Sequence, residues 1–581
     1  MTVAIPASAP PGLSLGVTGH RTSNPTLAAN MPAVRAVLAG LFDQIDAVLA
    51  GLGRGLAPVR FHSLLVSGVD QVGAELALGR EWELVAPLPF GHALNTAINA
   101  QPRTADDARA LIAGGSAADA DVKRRAAEIR NVAAHAHLFE LADRDETIAE
   151  LFVAALENPG DFASAKAFDT QCSDQVALAG KVMIERIDLL VAVWDRKISN
   201  LPGGTGHTIV MALDMGAPVL IIDPDEPSRW SIYSRPEELA LEGRRSDELL
   251  VSIVTGAVGD APNGSDNVPE EHWHKAGSSL WTFYRRIEAV FGGEQRPFRN
   301  LVADYERPDQ IAAGSAAPLL AAARALPHGD DALVGRIAED VLPQFAWADG
   351  ISTWLSDAYR SGMSYNFIFA ALAVIVGAAY DPLGLEKHKW MFAVAELLML
   401  LLILLITSIG RRHRWHARWL ETRRVAEYLR HGPIMLLLGV TRPTGRWPRS
   451  EETDWPEHFA RHCLRATGLP RIALDKPHLR AALQTVVLPH VTNQGQYHRT
   501  KAERLATVHH RLDKLAGALF IMTCADQLPT AVTSGSRMPW LLEHNSRSSG
   551  LTQATRSRAP LPLCWKASAR IGLSVTMVRK R

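Results

Sequence analysis

Residues 390–409 read WMFAVAELLMLLLILLITSI. An α-helix needs about 20 apolar residues to cross a hydrocarbon core of roughly 30 Å, and this run has that length. A second apolar run, Asn366–Tyr380, precedes it across a short polar loop and reaches spanning length if it begins near Ser361. The pair predicts a two-helix transmembrane hairpin with spans at about residues 361–380 and 390–409.

The flanking sequences predict how this hairpin is oriented. The segment RRHRWHARWLETRR (411–424) is a dense Arg cluster of the kind that stays cytoplasmic. The first residues of the chain lack a basic segment followed by a long apolar stretch, so we predict no signal peptide. Both ends of the hairpin, the N-terminal domain and the C-terminal region are therefore expected in the cytoplasm of a bacterial cell. The loop Asp381–Lys389 is then expected outside the inner membrane.

Two alternatives remain open for this segment. The runs could instead be a buried hairpin in a soluble domain, although core helices are usually amphipathic and Leu397–Ile406 is almost entirely Leu and Ile. Glu396 lies inside the second span, where a carboxylate is costly and is a functional-site hypothesis by default. It could line a pore in an oligomer, or reach the interface from its position near the span start.

Composition limits the partners and the chemistry. The chain has 581 residues and a formal net charge of +0, from 61 basic and 61 acidic residues, which argues against a nucleic-acid-binding protein and favours several domains. The 4 cysteines include no CxxC pair and suggest neither a disulfide framework nor a zinc site. The histidines include no HExxH motif, and the pairs His135/His137 and His413/His416 are expected at the surface. We predict no metal site and no catalytic residue.

Short apolar runs alternate with helical segments over the first 225 residues. Because each run is continuously apolar, the pattern indicates an α/β fold with a doubly wound parallel sheet covered on both faces. The Ala-rich segment 101–170 is expected to be mostly helical, and residues 223–345 form a weaker connector. The predicted strands are Leu13–Val17, Phe61–Val66, Leu84–Leu88, Ile187–Trp194 and Pro218–Ile222.

Three glycine-bearing turns follow these strands. Open α/β sheets bind ligands at the carboxyl ends of their strands, and glycines let the backbone approach a phosphate. Backbone N–H groups at a helix start form an anion site, and an Arg can bind phosphate through paired hydrogen bonds. Glycine also serves any tight turn, and Asp70 could simply cap a helix. The candidate binding residues are Thr18, Gly19, His20 and Arg21, then Gly68 and Asp70, then Gly203, Gly204, Thr205 and Gly206.

The stretches GVTGHR, SGVDQVGAELAL, IDLLVAVWD and GGTGHTIVMALDMGAPVLIID resemble the SLOG family over roughly residues 10–225. That superfamily has a Rossmann-like fold and is related to lysine-decarboxylase-like phosphoribohydrolases and to the DNA-processing protein DprA. The resemblance implies a nucleotide or nucleotide-derived ligand on the three turns. The phosphoribohydrolase branch carries a glutamate after its Gly-Gly-x-Gly-Thr turn. Here His207–Met211 supplies none, and Glu75 and Glu185 lie outside the motif, which favours ligand sensing over glycosidic hydrolysis.

The hairpin together with RWLETRRVAEYLRH (418–431) resembles the SLATT modules, two-transmembrane units attached to SLOG sensors in prokaryotic conflict systems and proposed to form pores. The expected organisation is a SLOG-like domain (1–230), a connector (231–344), a SLATT-like helical membrane domain (345–525) and a disordered or aberrant tail (526–581). A reading-frame change near residue 525 is one hypothesis for that tail.

These patterns and resemblances predict a membrane-anchored nucleotide sensor in anti-phage defence. Its expected partners are a nucleotide-type small molecule, the lipid bilayer and further copies of itself, with no other cofactor. The alternatives are a membrane-tethered phosphoribohydrolase-like enzyme and a scaffold that has lost its ligand.

Overall fold

The structure, a computed structural model, describes residues 2–3, 10, 12–53, 55–197, 202–241, 243, 245–258, 273–274, 280–292, 305–380, 383–441 and 454–533. Residues 1–509 form one compact unit and residues 510–581 a second. Most of the tail predicted from residue 526 onward lies outside the described residues. The hypothesis of a reading-frame change near residue 525 therefore stays a prediction.

Seven strands form one mixed sheet in the first half of the chain. They are β2 (Ser14–Gly19), β3 (Arg60–His62), β4 (Glu83–Leu88), β5 (His137–Glu140), β6 (Leu189–Val193), β7 (Val219–Ile222) and β8 (Trp230–Tyr233), in the spatial order β5-β4-β3-β2-β6-β7-β8. Every neighbouring pair is parallel except β7 and β8. A separate two-residue antiparallel pair joins β1 (Thr2–Val3) to β9 (Trp273–His274).

Helices cover both faces of the sheet, as the continuous apolar strands predict. Val191 and Val193 of β6 pack with α1, α2 and α9, whereas Leu190 and Ala192, which alternate with them, pack with α7 and α8. The helices of this half are α1 (Pro25–Leu52), α2 (Val69–Leu78), α3 (His92–Ala100), α4 (Ala105–Ile112), α5 (Ala120–Ala133), α6 (Asp145–Glu157), α7 (Phe162–Ile184), α8 (Thr205–Asp214) and α9 (Asp247–Val258).

One predicted strand ends earlier than expected, and one strand was missed. The strand expected over Phe61–Val66 ends at His62, because the Ser63 hydroxyl accepts the Leu65 N–H and donates to the Asp70 carbonyl, both at 3.1 Å. These local bonds turn the chain away from the sheet. The segment 101–170 is mostly helical as predicted, but it also contains the strand β5, which has only four residues and is too short to show an alternating pattern in the sequence. His137 at its start is buried, so the prediction of a surface residue there is wrong.

The second half of the unit is helical. Its helices are α10 (Phe283–Gly292), α11 (Ala317–Arg324), α12 (Asp331–Arg336), α13 (Leu342–Ala379), α14 (Lys389–Arg412), α15 (Trp415–Leu437), α16 (Asp454–Thr467), α17 (Lys476–Ala482) and α18 (Leu488–Thr533), with π-helical turns at Ile337–Val341 and Leu483–Val487. Helix α18 begins well before the predicted run at Leu512 and passes the predicted stop at Asp526.

Two of these helices are long and apolar enough to cross a membrane. The 18-residue window in α14 has a mean hydropathy of 2.6 and is 0% buried, which does not fit the alternative of a buried hairpin. Helix α13 changes character along its length: Ser361 and Gly362 are buried among other helices, whereas Met363 and the residues after it are largely exposed. The change falls where the first span was predicted to begin.

The helical half is joined to the edge of the sheet by backbone hydrogen bonds. The Glu140 N–H in β5 donates to the Ile472 carbonyl (3.0 Å), and the Leu474 N–H donates to the Glu140 carbonyl (2.7 Å). Residues 472–474 therefore cover the exposed edge of β5, where unpaired strand groups would otherwise invite aggregation.

Candidate functional site

The carboxyl ends of β2 and β6 lie side by side at the centre of the sheet. Gly19 is in register with Val193, so His20 and Trp194 leave the two strands next to each other. The chain continues from β2 to β3 on one side, while β6 lies on the other, so the strand order reverses at this point. Such a crevice is where open α/β sheets bind their ligands.

His20 and Asp195 connect the two strand ends. His20 Nε2 lies 3.0 Å from Asp195 Oδ1 and 3.2 Å from the Asp195 backbone nitrogen. With a proton on Nε2 the ring donates to the carboxylate, and without one it accepts the Asp195 N–H. Burial alone would raise the pKa of Asp195, but the Lys197 N–H and the neighbouring His20 and Lys197 side chains lower it below its usual value. Asp195 is therefore a carboxylate held against the imidazole.

The second predicted turn packs directly on the first. Gly68 has φ +122°, and a Cβ atom there would stand 2.4 Å from the His20 carbonyl oxygen, so only glycine fits. The Val69 N–H donates to that same carbonyl (3.4 Å), and the Thr22 and Ser67 hydroxyls lie 3.1 Å apart. The turns after β2 and β3 thus form one surface.

Asp70 is buried beneath this surface. Gly68 is the residue that caps α2, so the alternative reading of Asp70 as the helix cap is wrong. Burial raises the pKa of Asp70 to about 7, although the Leu64 N–H, the Arg21 charge and the Asp70 and Gly19 N–H groups act to lower it. The carboxyl group therefore connects the turns after β2 and β3 by hydrogen bonds from beneath and holds them in position.

The third turn lies at the start of α8. Gly203 has φ +79°, and a Cβ atom there would stand 2.8 Å from the Ser173 carbonyl of α7, while one on Gly206 would meet the Trp194 ring at 3.1 Å. Gly204 caps α8 and has no side chain, so it offers no side-chain acceptor to the first N–H groups of the helix. Residues 198–201, between β6 and this turn, lie outside the described residues.

Arg21 lies near both Asp70 and Cys172. Its charge acts on the pKa of Asp70 and on that of Cys172 in α7, which burial raises to about 11. Cys172 is one residue from Ser173, against which Gly203 packs. Arg21 itself is exposed, so its side chain is accessible to a ligand from solvent. The residues predicted from the sequence therefore lie together at the carboxyl ends of the strands.

The two glutamates considered as acids do not join them. Glu75 is held by Arg35 (2.8 Å) on the outer side of α2, and Glu185 accepts the Thr441 N–H (3.0 Å) in the connection before β6, at the opposite edge of the sheet. Sequence reasoning missed Asp195 and Trp194 as site residues. The signal was present, since both directly follow the strongest predicted strand.

Within the described ranges, no group of three or more His, Cys, Asp or Glu side chains could hold a metal ion. No protein-family model, curated protein or solved structure matches this chain. Its class follows from its own residues: a mixed α/β protein with a mostly parallel seven-stranded sheet, joined to a helical region in which two helices could cross a membrane by length and composition.

Proposed function

We propose that this chain is a membrane-anchored sensor, in which a Rossmann-like, SLOG-like domain binds a nucleotide or nucleotide-derived signal at the carboxyl ends of β2, β3 and β6. The observation that carries the proposal is the convergence of three glycine turns around the His20–Asp195 pair. A phosphate would meet the backbone N–H groups at the start of α8 and the exposed Arg21 side chain.

The membrane part of the proposal is supported by the surface of the hairpin. Its outward side chains are mostly large and apolar along α14, and none of the described residues of the unit 1–509 buries them. The two helices are joined by polar contacts, including Asn366 Nδ2 donating to Thr407 Oγ1 at 3.1 Å. Arg411 and Arg412 end α14 and favour a cytoplasmic location for that end of the helix. We infer a SLATT-like hairpin in the bacterial inner membrane, with both termini in the cytoplasm.

Helix α13 supplies a physical route from the cytoplasmic core to the membrane. It runs without a break from the buried residue Leu342 to Ala379, so a shift of its buried half moves the span as well. Asp349 in that half accepts hydrogen bonds from Arg423 (3.2 Å) and Arg430 (2.9 Å) of α15. We propose that ligand binding changes this packing and that an oligomer of hairpins then opens or perturbs the membrane, as a defence response to phage. Binding can drive the change only through its different affinity for the two states.

The test uses the full-length protein in detergent, incubated with a panel of nucleotides, followed by chromatography of the small molecules. We expect one nucleotide to be retained intact. The Arg21→Gln variant should lose it, because the guanidinium at the site is gone, while Arg124→Gln on the exposed face of α5 should retain it. Retention of no nucleotide, or equal retention by both variants, would overturn the proposed site.

The sensor's output has its own measurement. Full-length protein reconstituted into dye-loaded vesicles of bacterial lipid should release the dye only after the retained nucleotide is added on the side of the sheet domain. Nucleotide binding without any release would leave a receptor whose hairpin is only an anchor, and would exclude the pore.

One observation favours a second candidate, a membrane-tethered enzyme that cleaves a nucleotide's glycosidic bond. The glutamate of the phosphoribohydrolase motif is missing from this sequence, but Asp195 places a carboxylate at the strand ends. His20 lies close enough to exchange a proton with that carboxylate. The same chromatography separates the candidates, since free base plus ribose phosphate would identify the enzyme. The Asp195→Asn variant should then abolish the products while still retaining the nucleotide.

A further inference from the structure

A cavity of about 110 Å³ lies at the amino ends of strands β2–β5, whereas the candidate site lies at the carboxyl ends. One wall comes from the first residues of the strands and the other from the helical half of the unit. The charged and ring side chains of the lining include Arg60, Glu83 and His137 on the sheet side, and Arg336, Arg465 and Arg471 on the helical side. The buried side chains of His62 and Arg186 complete it.

The cavity has more positive charge than its carboxylates neutralise. Arg60 Nε pairs with Glu83 Oε2 at 2.8 Å, and Arg465 pairs with Asp188. The other three guanidinium groups have no carboxylate within ion-pair distance among the described residues, and their hydrogen bonds go to neutral acceptors. These bonds join Arg186 to the Gly439 carbonyl (3.4 Å), Arg336 to the Thr467 carbonyl (2.9 Å) and Arg471 Nε to His137 Nδ1 (3.2 Å).

His137 places a poorly paired ring N–H group beside the cavity. Burial and the Arg471 charge lower its pKa to about 4, so the ring is neutral at pH 7. Because Nδ1 accepts the Arg471 N–H, the ring proton lies on Nε2. That nitrogen is buried and makes no hydrogen bond of normal geometry, although the Pro470 carbonyl is close enough to raise the pKa of the ring. Poor pairing of a buried donor is costly, and an acceptor in the cavity would remove that cost.

His62 is a second buried histidine whose ring nitrogens lack hydrogen-bond partners. Its side chain is 3% exposed, and neither ring nitrogen has a hydrogen-bond partner. Burial, followed by the positive charges of Arg186 and Arg465, lowers its pKa well below the usual value. The Nε of Arg186, which is 2% exposed, is likewise without a partner. A native fold rarely leaves this many buried polar groups unpaired in one place.

We propose that this cavity binds a phosphate-type tetrahedral oxyanion, which ties the sheet to the helical region that carries the hairpin. Such an anion offers acceptors on several sides at once and neutralises the excess charge, which water alone does not. Arginine forks match phosphate oxygens through paired hydrogen bonds, and arginines reach the cavity from both walls. The cavity and the candidate nucleotide site lie at opposite ends of the same strands, so the two proposals stand or fall separately.

The experiment titrates inorganic phosphate into the full-length protein in detergent, with chloride of equal ionic strength as reference, and follows both Tm and the heat of binding. Phosphate should raise Tm where chloride does not, since a ligand of the native state stabilises it. Arg471→Gln should weaken phosphate binding by about tenfold, as expected for loss of one charge-assisted pair. Arg471 is exposed and its replacement leaves the core intact, while Arg124→Gln is the matched exposed control.

Equal effects of phosphate and chloride, or unchanged phosphate affinity in Arg471→Gln, would overturn the proposal. Arg21→Gln should bind phosphate here as the native protein does, and loss of binding in that variant would also count against this location. A nucleoside monophosphate that competes with phosphate would assign the cavity to the phosphoryl group of a larger ligand. Failure of the nucleotide to compete would assign it to the free ion.

Discussion

Gly377 of α13 lies directly against Glu396 of α14: a Cβ atom on Gly377 would stand 2.9 Å from Glu396 Oε2. The missing side chain leaves room for the carboxylate between the two helices of the hairpin. Glu396 thus faces the other helix of its own hairpin, and under the proposed membrane insertion this is the usual position of an acid within a span.

Replacing Gly377 by Leu should lower the Tm of the full-length protein in detergent or lipid, because the new side chain pushes the carboxylate toward the apolar surface. The Glu396→Ala change should remove most of that penalty in the double variant, so the two substitutions should not be additive. Gly40→Leu in α1, where a Cβ meets nothing within 4 Å, is the control. Additive effects would show that the two residues do not contact each other.

The orientation of the hairpin can be tested with a membrane-impermeant maleimide on intact cells. A cysteine at Leu383, which is 61% exposed in the loop between α13 and α14, should be labelled from outside. A cysteine at Phe162, which is 84% exposed at the start of α7, should react only after the cells are opened. Protection of the first cysteine in intact cells, or labelling of the second, would contradict the proposed topology.

Gly68→Ala should destabilise the native state by about 2 kcal/mol or more, since it combines a left-handed φ with a backbone clash against the His20 carbonyl. Chemical unfolding of the full-length protein measures the change. Gly79→Ala is the matched control on the same helix, where φ is −62° and a Cβ fits, and it should be neutral or slightly stabilising. Similar losses in both variants would remove the special role of Gly68.

Asp70 should make the stability of the native state fall as pH rises between about 4 and 7. Its pKa is raised to about 7 in the native state, so in that window the unfolded chain has lost its proton while the native chain keeps it. The slope from this one group is at most about 1.4 kcal/mol per pH unit. Below both pKa values the contribution is fully present, and above pH 7 it is fully lost.

The Asp70→Asn variant should flatten this dependence when Tm is followed across the same window. Asp161 supplies a contrast of opposite sign, because hydrogen bonds from Ser164 lower its pKa and its contribution is lost as pH falls. The stability of Asp161→Asn should therefore fall less than that of the native protein on acidification. An unchanged pH profile in Asp70→Asn would show that the carboxyl group is ionised in the native state at neutral pH.

Local sequence patterns predicted much of the architecture. Continuous apolar runs marked β2, β4, β6 and β7, and glycines after them marked the turns of the candidate site. The patterns failed where an element is short or held by distant residues. β5 has only four residues and takes its place by pairing with β4, and β3 stops early because Ser63 bonds to Leu65 and Asp70. Asp195 can be recognised as a site residue only from its contact with His20, which lies 175 positions earlier in the chain.

What the sequence determined by itself is what depends on neighbouring residues: the alternation of strands and helices, the glycine turns, and a run of Leu and Ile long enough to cross a membrane. Only the tertiary structure decided which charges meet. Arg186, Arg336 and Arg471 are far apart in the chain, and packing of the helical half on the amino ends of the strands brings them to one cavity. Such long-range proximity has no local signature, because the energy that fixes it comes from burial of whole elements against each other.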